Sequence, residues 1–596
     1  MASTVRAEQD SRADDTAGEP AETGSRRSRE RLVLLAQTLG GAAVLGGLMQ
    51  MRWGYRAGIG DHLVLSALGL HWAKPDEFAN DWVIANAPQP HWLFDVVTWA
   101  GASSGTLPAV YFLYWVVSLL VFGYATALLA RGWAGTLRWA TILAVSVVIA
   151  ATPIWLLGTG SPNYPIAVPG VLAGYLIYLT AAALLLGRHR LAAVAAVATA
   201  LVHVQQGLVV VVLLAALAVA VWLRSRRFDR WLLGGAGLSA VAVGVALQAR
   251  PVAGHLSDFA DACNKIIPYH CNATTWLKSD ARGGLALLAL ALLTVLYLAR
   301  SERFRWFVVV VLPTVALLGG LAADRWNVPF FGVLAQGLNI YRLDVLLMPL
   351  SIWGLLTPLL VTSLGTRARW ALLAAVLFLG HSALGQQGWA VEKARGGPWT
   401  LIAAGALILA VAAMTVPGLV RRPHAVTWSV LVLIAVSAVA SGVYSNALKA
   451  RPVTPAFMAA EHDMRDWGVD AQKVIPPGSQ VLIPPVTIDL RMALRRGVVV
   501  DCKNGPYGGP AWQDYKTRIE ALGGFPQCLG KYQAFNDLPP SSVSATAQKY
   551  GANYMVVDKG TKWRLASLVS LGWTVVQRPA HGYEGYVLKA PWAPAA

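Results

Sequence analysis

Side chains able to do acid–base or metal chemistry are scarce in this 596-residue sequence, and many stand in one stretch. GIGDHLVLSALGLHWAKPDEFANDW, residues 58–82, holds Asp61, His62, His71, Asp76, Glu77 and Asp81, although only 13% of the chain is charged. PQPHWLFD follows with His91 and Asp95. A carboxylate can take a proton from an alcohol, or bind a divalent metal that offsets phosphate charge. Asp61 comes ten residues after the first long apolar run, Leu32–Met51. Leu63, Leu65, Leu68 and Trp72 alternate with small residues beside it, a pattern that lies flat at a membrane interface. An acid placed there meets a water–lipid boundary, where a lipid phosphate would present its reacting bond. Helix capping is the plainer role for such acids, for instance Asp76 ahead of Glu77.

Other polar groups stand where apolar runs begin or end. Arg342, in YRLD, directly precedes an apolar run, where its planar fork suits either Asp344 or a phosphate. His203, Gln205 and Gln206 end the short run Leu191–Gln205, a position that lines a cavity or satisfies a neighbouring helix. Asn163 and Tyr164, in SPNYP, frame the same outer cavity or belong to a rigid proline turn. Lys503, Tyr507 and Trp512, in DCKNGPYGGPAWQDY, suit sugar stacking and hydrogen bonding, or a disulfide-tied surface loop.

The elements that must position these groups are mostly membrane helices. The chain is 56% hydrophobic with a mean hydropathy of +0.51, values foreign to a soluble enzyme. Uncharged runs such as Leu32–Met51, Gly207–Leu223 and Trp428–Tyr444 match the ~20 residues a helix needs to span hydrocarbon. The fold class expected is a polytopic α-helical membrane protein with about 13 crossings, near 32–51, 107–130, 138–157, 166–187, 190–205, 207–223, 231–248, 284–299, 306–323, 343–361, 370–385, 399–416 and 425–445. Net charge is +18, but the basic residues cluster between apolar runs on what becomes one side. That distribution sets topology and argues against a nucleic-acid partner. It places the N-terminus in the cytoplasm, with residues 1–31 as a disordered tail, and the long loop 52–106 outside. The first apolar run, with no cleavable signal before it, reads as an uncleaved anchor.

Residues 446–596 then form an extracytoplasmic α/β domain, its strands predicted at Gln480–Pro485, Gly497–Lys503, Asn553–Asp558, Trp573–Gln577 and Gly585–Lys589. It carries no G-x-S-x-G, Walker loop or dinucleotide fingerprint. The four cysteines all fall in outer segments, which predicts disulfides Cys263–Cys271 and Cys502–Cys528.

A first span, a long outer loop with an acid just past it, many further spans and an outer α/β domain together resemble the GT-C superfamily of integral-membrane glycosyltransferases. The patches KPDEFANDW, PQPHWLFD, SPNYP, ALVHVQQGL and QGLNIYRLDVL are similar to those of bacterial members. The resemblance implies transfer of a sugar from a polyprenyl-phosphate donor to a cell-envelope glycan, lipid or protein at the bacterial plasma membrane. Asp61 matches the first-loop acid that deprotonates the acceptor hydroxyl, and Arg342 the basic residue that holds the lipid-linked phosphate. On this view His62 joins Arg342 on the phosphate. Asp81, His91, His203 and Tyr164 are further substrate-binding candidates, and Tyr507 and Trp512 would meet the acceptor. His62 stands where many members carry a second acid, which bears on metal use: a Mg or Mn ion would be held by Asp61 and Asp81. A single displacement inverts the anomeric centre. A transporter and a non-catalytic envelope scaffold are the alternatives; against the transporter, the clearest spans of this chain carry none of the intramembrane charges that coupled transporters use, and the sequence has no obvious internal repeat.

Overall fold

The computed structural model describes residues 21–87, 90–151, 155–156, 159–160, 164–248, 256–272, 286, 288–294, 305, 307–361, 364–384, 398–444, 454–506, 508–529 and 533–594. The apolar runs become helices. Helix α1 (Ala21–Trp53) is followed by four loop helices: α2 (His62–Leu65), α3 (Ala67–Ala73), α4 (Trp82–Asn86) and α5 (Trp92–Ser103). Apolar helices α6 (Leu107–Trp133), α7 (Arg138–Ala151), α8 (Pro169–Leu185), α9 (His189–Val202), α10 (Val204–Ser225) and α11 (Arg230–Gln248) come next, then α12 (Leu256–Ile266) and α13 (Pro268–Cys271). Later helices span Leu312–Arg325, Asp344–Leu360, Thr366–Leu384, Pro398–Thr415 and Pro423–Tyr444.

Among the described residues, six helical segments are long and apolar enough to cross a membrane: Arg27–Met51, Leu107–Trp133, Val204–Ser225, Arg230–Leu247, Val308–Arg325 and Ile340–Leu360. Shorter apolar helices, among them Pro169–Leu185 and His189–Val202, pack beside them. Half of the expected segment 284–299 lies outside the described residues. Within segment 138–157 a helix covers Arg138–Ala151, and strand β2 (Trp155–Leu156) pairs antiparallel with β3 (Thr159–Gly160). Between α9 and α10 the chain breaks at one residue, His203, whose φ of −152° and ψ of 114° are extended.

Polar side chains tie the helix ends at the face predicted to be cytoplasmic. Arg369 is fully buried and donates to the carbonyls of Pro358 (3.0 Å), Leu359 (2.5 Å) and Pro423 (2.6 Å). It thereby caps the C-terminal end of the Asp344–Leu360 helix, where unpaired carbonyls favour a cation. Asp229 caps the start of α11, accepting from the amides of Trp231 and Leu232, and meets His189 at 2.5 Å.

The C-terminal segment folds on a five-stranded sheet in the order β6-β5-β7-β9-β8, with β5 Gln480–Leu482, β6 Gly497–Val498, β7 Ala552–Val557, β8 Thr574–Gln577 and β9 Tyr586–Lys589. Strand β5 pairs parallel with β6 and β7, whereas β9 runs antiparallel to both β7 and β8. Alternate residues enter opposite cores, as the period of two requires. Leu482, Met555, Val557 and Leu588 pack with Trp512, Tyr515 and Trp573. Val481, Tyr554, Val556 and Val587 pack with Trp467 and Leu490 on the other face. Both expected disulfides are present, Cys263–Cys271 and Cys502–Cys528, with Cα separations of 6.0 and 5.1 Å.

The first loop is built into this segment. Strand β1 (Arg56–Ala57) pairs parallel with β4 (Thr454–Phe457), and the Met458 amide donates to the Ala57 carbonyl at 3.0 Å. Arg495 pairs with Glu77 at 2.8 Å, and the Arg518 guanidinium lies 4.5 Å over the Trp82 ring. From another side, Asp261 on α12 accepts from Trp512 Nε1 (3.0 Å) and Lys516 Nζ (3.3 Å).

Candidate functional site

Asp61 stands at the start of α2. Its carbonyl accepts from Val64 and Leu65, which fixes the backbone, while its side chain makes no cap. The carboxylate therefore projects from the turn. Its Oδ1 lies 3.0 Å from Lys503 Nζ, with the two side chains 52% and 31% exposed. The pair is thus in contact with solvent.

His62, the next residue, points the other way and is fully buried. Gly58 N–H donates to Nδ1 at 2.9 Å, so that nitrogen carries no proton. Nε2–H then donates to the Ala167 carbonyl at 2.6 Å. The ring stacks on Tyr111 with centroids 4.5 Å apart. Burial pushes its pKa down to about 4, and the ring is neutral at physiological pH. The expectation of His62 as a phosphate ligand is corrected: both nitrogens are committed to backbone, and the residue bolts the loop to the segment entering α8.

Tyr164 closes over the same turn. A Cβ added to Gly60 would lie 2.6 Å from its hydroxyl. Burial, and then the charge of Asp61, push its pKa up to about 12, which keeps it a donor beside the acid.

His91, His203 and Arg342 come together although each belongs to a different segment. The two imidazoles lie 4.8 Å apart, and Arg342 Nη1 is 3.1 Å from His203 Nε2. A guanidinium only donates, so His203 Nε2 accepts and its proton sits on Nδ1. The 3.5 Å approach of the Gln206 amide to that Nδ1 is then no hydrogen bond. Burial, and after it the Arg342 charge, hold the His91 pKa down to about 4, while Asp61 acts on His91 with the opposite sign. His91 Nδ1 and Gln206 Oε1 are buried and take no hydrogen bond among the described residues. Asp61, Tyr164, His91, His203 and Arg342 thus share one region, although they span 281 positions (342 − 61) of the sequence.

Asp81 is placed differently from its expected role. It is buried, caps α4 through the Ile84 amide (2.9 Å), and accepts from Arg491 Nη2 and Nε at 2.8 and 3.0 Å. With its oxygens occupied, Asp81 joins loop to domain and does not reach a substrate or metal. No group of three or more His, Cys, Asp or Glu side chains that could hold a metal ion occurs among the described residues. Trp512 is fully buried in the domain core, bonded to Asp261, so it is not the acceptor platform expected; Tyr507 lies outside the described residues.

Lys503 was readable as a polar loop residue, but not as the partner of Asp61. A buried chain of contacts presents it. Arg491 Nη1 donates to Asn504 Oδ1 at 3.2 Å, and Asn504 Nδ2 donates to Asp501 at 2.7 and 2.9 Å. Asp501 Oδ1 also accepts from the Lys503 amide at 2.9 Å. The signal available in the sequence was charge among apolar strands: Arg491, Arg495 and Arg496 precede GVVVD, and buried arginines demand partners.

No protein-family model matches the chain, and no curated protein matches it at a significant level. Among solved structures, it is similar to ArnT from Cupriavidus metallidurans bound to undecaprenyl phosphate, at 14% identity and a TM-score of 0.43, over 96% of this chain and 100% of that one. The apo state of the same protein is similar at 14% identity and a TM-score of 0.41, with the same coverage.

Proposed function

We propose that the chain is a GT-C-type glycosyltransferase of the bacterial plasma membrane, with its N-terminus cytoplasmic and its site on the outer face. It would move a sugar from a polyprenyl-phosphate donor to a hydroxyl of a cell-envelope glycan, lipid or protein. One observation carries the proposal. A half-exposed carboxylate, Asp61, shares a region with Lys503, Tyr164, His91, His203 and Arg342.

Asp61 takes the proton of the acceptor hydroxyl as its oxygen bonds to the anomeric carbon. The bond from that carbon to the phosphate oxygen breaks, and the electron pair leaves with the lipid phosphate. Arg342, oriented by His203, meets the phosphate, because a planar fork in a partly dry site stabilises developing charge. The neutral imidazoles of His91 and His203 line the approach without adding a competing cation. One displacement inverts the anomeric configuration.

The test uses protein in nanodiscs with a panel of polyprenyl-phosphate sugars and an alcohol acceptor. Wild type is expected to release free lipid phosphate and form an inverted product, and Asp61→Asn to lose at least about 10²-fold of that rate. Equal turnover by the two proteins would remove Asp61 from the chemistry. A retained anomer would end the single-displacement mechanism.

A further inference from the structure

Asp81 and Asp61 lie in one loop, and each meets a cation from the same C-terminal domain. Their pairs are built for different purposes. Asp81–Arg491 is buried, bidentate and held at both ends. Asp61–Lys503 is a single contact at 3.0 Å with both side chains partly open to water. A permanent staple would be made like the first. The second uses a lysine, a point charge on a flexible four-carbon stem that redirects without moving backbone.

That backbone is firmly set. The amides of Lys503 and Asn504 donate to Asp501 Oδ1 at 2.9 and 2.7 Å, and the Cys502 amide donates to Pro485 at 2.8 Å. The Cys502–Cys528 disulfide closes the adjoining residue. Only the side chain of Lys503 is left to travel.

We propose that Lys503 is an exchangeable counter-ion: it holds Asp61 in the empty site and passes to the lipid phosphate as the donor reacts. The inference rests on the glycosyltransferase reading. Its charge balance is what singles out Lys503. The donor phosphate is a diester with one negative charge, and the released monoester gains a second as the anomeric bond breaks. Asp61 loses its negative charge in the same step, on accepting the hydroxyl proton. One unit of negative charge therefore shifts from carboxylate to phosphate, and a mobile cation that follows it keeps the site balanced throughout. The C-terminal domain, on this view, completes the site.

The experiment measures binding of a polyprenyl monophosphate, the product, to protein in nanodiscs, and needs no turnover. Lys503→Gln is expected to bind about tenfold more weakly than wild type, with Lys503→Arg within about threefold of it. Asp61→Asn is expected to bind a few-fold more tightly, because the carboxylate no longer competes for Lys503. A purely structural ion pair would weaken in both variants alike, so weaker binding by Asp61→Asn overturns the proposal. Unchanged binding by Lys503→Gln, with an unchanged melting temperature, overturns it as well. If wild type itself binds no polyprenyl monophosphate, the functional reading fails and takes this inference with it.

Discussion

Asp61 and Asp81 are the same side chain placed twice in one loop, and their surroundings give them opposite work. A half-exposed pair such as Asp61–Lys503 is worth about 0–1 kcal/mol, so separating it costs little. Arg342 is fixed through His203, and its geometry uses one arm of the fork there. Arg342→Gln is therefore expected to lower kcat/KM for a polyprenyl-phosphate sugar by about tenfold or more, with Arg342→Lys recovering little. Steady-state kinetics across donor concentrations check this. His62 predicts a pH effect. Its pKa is depressed by burial to about 4 from an ordinary 6.5, so the unfolded chain binds the proton more readily than the folded one. Stability is then complete above pH ~6.5 and falls as the pH drops toward 4, by about 2 kcal/mol at pH 5. Amide exchange of the Gly58 N–H, which donates to this ring, is expected to quicken between pH 7 and 5 after correction for intrinsic rates. His62→Gln should flatten that dependence.

Among the elements, the loop is held where a backbone needs it most. Gly58 has φ of 72°, a left-handed conformation, and an added Cβ would collide with the Met458 amide nitrogen. Gly58→Ala is expected to cost more than about 1 kcal/mol and to expose the Met458 amide to exchange by parting β1 from β4. Gly135→Ala, also at positive φ but with open space around it, should cost only the backbone strain. At this scale much was legible in the sequence. Apolar runs of 18–20 residues become helices because backbone groups in hydrocarbon must pair internally. The break at His203 was foreshadowed by a short run ending in His203, Gln205 and Gln206. The strand Trp155–Leu156 was not, since hydropathy alone does not separate the last turn of a helix from a short apolar strand. At the site, Asp61, His91, Tyr164, His203 and Arg342 were picked by residue type and position, and they do share a region. His62, Asp81 and Trp512 were picked by the same reasoning and are occupied elsewhere, because burial is decided by what docks against them. Lys503 and Arg491 stand more than 400 residues from their acids, beyond any local pattern.

For the whole molecule, the consequence of these contacts is that the first loop and the C-terminal segment are held together. Asp81–Arg491 is the test of that unity, since 410 residues separate two fully buried partners. Arg491→Met would leave Asp81 buried without its cation, at a cost of about 3–5 kcal/mol. It would also free Asn504, and with it the Asp501 turn that presents Lys503. The single variant is thus expected to speed amide exchange in both the loop and the domain and to reduce transfer. Adding Asp81→Leu removes the orphaned charge, and an apolar pair of similar volume can match or exceed a buried ion pair in stability. The double variant should recover docking, read as restored exchange protection at Phe78, whose amide donates to the Arg495 carbonyl. It should recover less of the transfer rate, because nothing replaces the Arg491–Asn504 contact behind Lys503. Equal recovery of both would mean that the ion pair serves docking alone. A gap between them would mean that the same arginine joins the two parts and sets the turn that carries the lysine.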